Sequence, residues 1–439
     1  MATGRQATGP SEQASGTFNL DWYKSLQGNA RPAFWAGFMG WALDGFDFMV
    51  LPLALSAIAA TFAVSQGAAG LIVTVSLIVS AFGGILAGYL ADKIGRVNTL
   101  MITVGLYSVG TFLSGLSPSY ELLLVFRAIQ GLGFGGEWAA GAILVSEMSH
   151  PDQRGRVLGM IQSAWAIGWG GAVIAYTIVF SLVGPELGWR VLFWLGILPA
   201  LLVLYIRRKV SEPEVYVETR RAQDAQTQEA VERGATSNSL VQIFRSDLLG
   251  TTAAASLLSI GAQGGYYSIF TWLPSYLETE RNLNVVGTGS YLASVIIGSF
   301  LGYVLSGYLH DLLGRKLTFA LYALLSALAI FLYTKIPVGA NQLLVVLGLP
   351  LGFFASGIFS GFGSYLAELF PSRARGAGQG FTYNFGRAMG AFFPVAIGAL
   401  SAAIGLAGAI AFGTSAYGLC LLALLFLPET RGKEFVPLD

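Results

Sequence analysis

The sequence predicts an all-α membrane protein, with twelve transmembrane helices in two pseudo-symmetric six-helix bundles. Three observations carry this. The 439 residues are 54% hydrophobic and only 11% charged, whereas a soluble domain carries about 25% charged residues. About twelve apolar runs reach the roughly 20 residues that a spanning helix needs. Two motifs of the first half recur, in the same order, in the second.

The apolar runs lie near 33–62, 67–90, 98–117, 120–148, 157–183 and 189–206, then near 248–278, 285–309, 317–335, 341–367, 377–403 and 407–427. Between the sets lies "RRKVSEPEVYVETRRAQDAQTQEAVERGATSNS", rich in Glu, Gln and Arg, which reads as an exposed linker. The expected organisation is a tail over 1–32, a six-helix bundle over 33–206, a linker over 207–247, a second bundle over 248–427 and a tail over 428–439. Residues 1–32 are polar and show no short apolar core with a small-residue cleavage site. They read as a cytoplasmic tail and not as a signal peptide.

Basic residues set the expected orientation. With the N-terminus inside, about twenty of the 25 Lys and Arg residues fall in cytoplasmic segments. Arg190, Arg281 and Lys335 fall outside, and Arg127 and Arg387 lie within spans. Both termini are therefore expected in the cytoplasm.

The repeat is specific. "GYLADKIGR" at Gly88–Arg96 returns as "GYLHDLLGR" at Gly307–Arg315. "SEMSHPDQRG" at Ser146–Gly155 is echoed by "AELFPSRARG" at Ala367–Gly376, each with a Glu seven residues before an Arg-Gly. Duplicated six-helix halves are the layout of many secondary transporters.

Other classes are excluded by what is scarce. A net charge of +1 gives no basic field for nucleic acid. One cysteine, Cys420, rules out an intramolecular disulfide framework, and two histidines, His150 and His310, offer little to a metal. No nucleophile–base set is present. "GLGFGG" at Gly131–Gly136 sits inside a span and reads as a helix-packing stripe, not a phosphate loop.

The doubled Gly-x-x-x-Asp-x-x-Gly-Arg pattern within twelve spans resembles the loop signature of the major facilitator superfamily. "LDGFD" in span one resembles the aromatic acid:proton and sialate/lactate:proton symporters of that superfamily. "RAIQGLGFGGEWAAG" in span four and "QSAWAIG" in span five look closer to the sialate/lactate branch. The closing "PETRGK", Pro428–Lys433, resembles the end of sugar porters. The resemblance implies a metabolite:proton symporter, and it implies that Arg127 matters for transport.

The residues within the spans can be read on their own chemistry. Asp44 and Asp47 share a helix face, roughly 15–20 Å along span one. A carboxylate at that depth holds a proton, pairs with a cation or faces a water-filled cavity; the alternative is a structural hydrogen-bonding pair. Glu137, among small residues of span four, is a further candidate for the proton, with Trp138 beside it as a cavity wall or a packing residue. Arg127 keeps its charge and needs an anion: Asp44, Asp47, Glu137 or a substrate carboxylate. Arg387, with Tyr383 one turn earlier and Asn384 beside it, forms a carboxylate clamp and is the expected substrate anchor, or else a counter-ion for the span-one acids. In span seven, Gln263, Tyr266 and Tyr267 are candidate substrate contacts. Gly261, Gly264, Gly265 and Pro274 are expected to interrupt that helix, and Trp272 and Tyr276 read as interfacial anchors. Gly88, Asp92, Arg96, Asp311, Arg315, Glu147 and Glu368 form the expected gating set, because their pairs repeat at symmetry-related places.

The expected function is a proton-coupled secondary active symporter in the inner membrane. It imports a small organic anion such as a monocarboxylate, aromatic acid or sugar acid. The chain is not expected to be an enzyme and requires no cofactor or metal; the proton is the coupling ion. Its partners are the substrate and the bilayer, and it works as a monomer. The alternatives are a neutral sugar or polyol porter, for which Gln162 and Gln263 would serve, and a non-transporting membrane sensor.

Overall fold

The computed structural model describes Tyr23 and residues 30–147, 154–209, 239–371 and 374–431. The rest of the expected N-terminal tail, most of the linker and the end of the C-terminal tail lie outside the described residues. In the N-terminal half, α1 (Ala30–Phe62), α2 (Gln66–Ile94), α3 (Arg96–Gly115), α4 (Tyr120–Glu147), α5 (Arg154–Leu195) and α6 (Ala200–Lys209) follow one another. In the C-terminal half come α7 (Leu249–Thr279), α8 (Val285–Leu313), α9 (Arg315–Lys335) and α10 (Gln342–Gly357). α11 (Phe362–Leu369), α12 (Arg375–Gly390), α13 (Phe392–Gly413) and α14 (Ser415–Phe426) complete it. No strand occurs among the described residues.

Among the described residues, eight helical stretches are long and apolar enough to cross a membrane. Two of them contain a break, at Gly184 in α5 and at Gly405 in α13. α4 and α7 have spanning length too. Both breaks are helix ends. Gly188 comes back against the ring of Phe180, so the chain folds over at Gly184. Beyond Gly405 the carboxylate of Glu280 accepts from the Leu406 and Ala407 N–H groups, as at the start of a new helix. These features account for the twelve expected passes.

The duplication is written in the backbone as well as the motifs. Among the described residues, positive φ angles fall in three matching pairs: Ala63 with Asn282, Gly95 with Gly314, and Gly184 with Gly405. Gly95 (φ 101) and Gly314 (φ 93) are the glycines of the repeated loop motif and join α2 to α3 and α8 to α9. A side chain is disfavoured there, which is why glycine stands at both.

Close packing explains the small residues of α4. A Cβ on Gly131 or Gly135 would overlap the α2 backbone at Ser76 or Ser80, and one on Gly133 would meet α3 at Thr103 and Tyr107. Two expectations for span seven are corrected. α7 is one continuous helix; Gly261, Gly264 and Gly265 leave room for Cys420, Phe393 and Tyr417 and do not interrupt it. Trp272 and Tyr276 are fully buried and not interfacial. Trp272 donates to the Pro394 carbonyl at 3.0 Å, and Tyr276 accepts from Arg281 at 2.6 Å.

The halves meet where α1 packs on α7, α2 on α12 and α13, and α5 on α8. Their shared surface encloses the candidate site.

Candidate functional site

A cavity of about 40 Å³ lies between the halves. From α1, α4 and α5 it is walled by Trp41, Phe48, Phe134 and Trp165; Tyr266, Tyr267, Tyr303, Phe359 and Tyr383 face them from the other half. Arg387 and Gln162 supply its charge and its amide. A water needs about 10–15 Å³, so this volume holds a few waters. A ring-sized organic anion enters only if the walls move apart.

Arg387 is 4% exposed. Its guanidinium lies 5.3 Å from the Tyr383 ring centre and 5.6 Å from that of Phe134. Among the described residues no carboxylate pairs with it, and its buried Nε finds no acceptor. A buried cation normally has a counter-charge. This one is held in place by aromatic faces and turned to a cavity, an arrangement that suits an incoming carboxylate.

Three bonds fix the walls. The Tyr267 hydroxyl donates to Gln263 Oε1 at 3.1 Å, and the Gln263 amide donates to the Tyr383 carbonyl at 2.9 Å, tying α7 to α12. Gln263 thus braces the wall from behind. Trp165 Nε1 donates to the Tyr266 hydroxyl at 2.9 Å across the two halves. Asn384 lies off the cavity: its amide donates to Gly380 at 2.9 Å, and its oxygen packs against Gly84 of α2.

Asp47 and Arg127 form a separate buried cluster inside the N-terminal half. Asp47 accepts from the Thr111 hydroxyl on α3 and from the Gln130 amide on α4 at 2.5 Å. Arg127 donates to Ser76 at 3.2 Å, lies 5.5 Å over Phe193 and is attracted to Asp47. Arg127 is 1% exposed and does not line the cavity. Asp44 is fully buried on the same helix as Asp47. The side chains of Glu137 and Trp138 lie outside the described residues.

At the motif end of the C-terminal half the repeated residues come together. Arg315 pairs with Asp311 at 2.6 Å and with Glu368 at 3.0 Å, and Thr430 donates to Glu368 at 2.5 Å. Glu429, in the closing "PETRGK", accepts from the N–H groups of Arg315 and Lys316 at 2.9 Å each and so caps α9. All these partners belong to one half. Of the N-terminal copies, the side chains of Asp92, Arg96 and Glu147 lie outside the described residues, and Gly88 carries none.

Sequence reasoning missed most of the cavity wall: Trp41, Phe48, Phe134, Trp165, Tyr303 and Phe359. An aromatic in a span looks the same whether it faces lipid or cavity, so no linear signal was there to find. Among the described residues no cluster of three His, Cys, Asp or Glu could hold a metal.

Comparison with known proteins agrees with this architecture. The family model described as Major Facilitator Superfamily matches residues 37–315 and 279–438. A probable 4-methylmuconolactone transporter of Cupriavidus pinatubonensis is 38% identical, with 94% of this chain and 93% of that protein covered. A cis,cis-muconate transport protein of Acinetobacter baylyi is 33% identical, with 92% and 95% covered. A crystal structure of a D-xylose–proton symporter superposes with a TM-score of 0.72 at 22% identity, covering 92% of this chain and 100% of that one.

Proposed function

The chain belongs to the Major Facilitator Superfamily and is an integral membrane transporter of small organic acids, and we propose that it is a proton-coupled symporter importing a planar monocarboxylate. The observation that carries this is Arg387, a buried cation without a counter-charge among the described residues, set in an aromatic cavity. A carboxylate neutralises it, and a flat conjugated body stacks between Trp41, Phe48, Phe134 and Trp165. The names of the relatives, a muconolactone and a muconate carrier, support organic acids as the class.

In this reading Asp44 takes the proton. Both oxygens of Asp47 already accept hydrogen bonds, and Arg127 balances its charge, which suits a fixed ionised group. One proton entering with one monoanion makes the cycle electroneutral. The small cavity represents a closed stage, and rocking of the halves about it gives access to each side in turn. Both termini face the cytoplasm of an inner membrane, and one chain holds a whole site and works alone.

The test is uptake into liposomes under an imposed pH gradient, with benzoate, lactate, sialate and glucose as competitors. Inward-directed protons should drive accumulation, and benzoate should compete best. Uptake indifferent to the gradient ends the coupling proposal. Preference for glucose favours the neutral-sugar reading, in which Gln162 would be the main contact and Arg387 would have no ligand.

A further inference from the structure

Three cross-half hydrogen bonds close the end of the bundle that carries the loop after α1. Ser56 donates to Ser275 at 2.8 Å, Thr74 donates to the Ala391 carbonyl at 2.7 Å, and the Tyr176 phenol donates to the carboxylate of Glu278. The third differs from the others because one partner can ionise. Glu278 stands in the last turn of α7, partly buried, and Tyr176 reaches it from α5 of the opposite half.

Among the described residues, the surroundings of Glu278 contain hydroxyls but no cation. Ser56 of α1 and Tyr176 of α5 are the groups that interact with it. Of the other charges at this end, Arg190 of α5 donates to the Gly115 and Ser117 carbonyls and lies over the Trp189 ring. Glu280 caps the second part of α13, Arg281 donates to Tyr276 and to the Ile336 carbonyl, and Lys335 of α9 lies 5.6 Å over Phe331. Tyr333 of α9 packs on Tyr276. α13 carries no charged residue, and neither does α1 beyond Asp47.

The geometry points to Glu278 as a proton-operated latch on this end of the transporter. When the halves close, the carboxylate exchanges water for one neutral donor, the Tyr176 hydroxyl, since Ser56 gives its proton to Ser275. Without a cation this returns less than the lost hydration, so closure favours the protonated acid. When the halves part, Tyr176 withdraws, water enters and the ionised form is favoured. Acid on this side therefore favours the closed end. The proton binds and leaves on the same side, because Glu278 stands in the last turn of α7, where it is only partly buried even with this end closed. The latch sets the pH dependence of opening and adds nothing to transport stoichiometry. It rests on the reading of the chain as a carrier whose halves rock about the cavity.

Spin labels at Leu182→Cys and Val338→Cys, both strongly exposed and on opposite halves, report separation of this end in reconstituted protein. Acidification should shift the distance distribution toward the short form, by at most about tenfold in ratio per pH unit for one proton. Glu278→Gln should hold the short form at every pH, and Tyr176→Phe should reduce it in acid. A wild-type pH response in Glu278→Gln overturns the latch, as does a wild-type chain whose distances ignore pH. If Glu278→Gln does not fold, Tyr176→Phe with an unaltered pH response overturns it. Benzoate added to the same samples separates the two readings: a pH response without a benzoate response sinks the carboxylate carrier and leaves the latch standing.

Discussion

Arg387 lies with its guanidinium 5.3 Å over the ring of Tyr383, one helical turn earlier on α12. The phenol ring holds the cation flat against the cavity wall, and the cation needs an anion that the described residues do not supply. Arg387→Ala should therefore weaken benzoate binding by about 10- to 100-fold, the worth of a charge-assisted hydrogen-bonded pair. Arg387→Lys keeps the charge, loses the fork and should fall between. Calorimetric titration of purified protein decides it, and unaltered affinity in Arg387→Ala removes the anchor role.

The two acids of α1 should separate in function. Asp44→Asn is expected to spare substrate exchange and abolish accumulation driven by a pH gradient. Asp47→Asn leaves Arg127 with a weakened counter-charge, and the expected result is loss of stability of roughly 3 kcal/mol or more. Counterflow, gradient-driven uptake and thermal unfolding on the same two variants resolve the roles. Normal accumulation by Asp44→Asn would move the proton to Asp47 or Glu137.

Ala63 terminates α1 at φ 51, a region where a Cβ is unwelcome. Ala63→Gly should stabilise the protein by about 1 kcal/mol. Asn282 holds the matching place after α7 at φ 54. Asparagine tolerates that region better, so Asn282→Gly should gain less. A lower unfolding temperature for Ala63→Gly would count against the backbone argument.

Glu429 predicts a pH effect of definite sign. Partial burial raises its carboxyl, but four backbone N–H donors outweigh this and hold it below the usual glutamate range. A depressed carboxyl contributes stability above its unfolded value, and that contribution fades as pH falls through the folded one. Since the group is largely exposed, the cap is worth about 0.5–1 kcal/mol. Glu429→Gln should lower the unfolding temperature slightly at neutral pH and match wild type in strong acid. A difference that grows on acidification would reverse the assignment.

How much was legible beforehand varies with the range of the interaction. The repeat was readable because "GYLADKIGR" and "GYLHDLLGR" need the same backbone, down to Gly95 and Gly314. The contact of Tyr383 with Arg387 was readable because four residues make one helical turn. The place of Arg127 was not. Its helix carries it past the cavity to Ser76, Phe193 and Asp47, and only the packing of α2 and α5 around α4 decides that. Gly261, Gly264 and Gly265 misled for the same reason: the residues they accommodate come from α13 and α14.

The chain's own order determined that it is helical, apolar, doubled and furnished with buried charge, since these follow from composition and from contacts within a turn or two. Tertiary structure alone decided which charge meets the cavity, which meets a partner, and that Glu278 and Tyr176 touch although they are far apart in the chain. The reason is physical: hydropathy and helical pitch act along the sequence, while pairing and enclosure depend on which helix faces lie opposite each other in space.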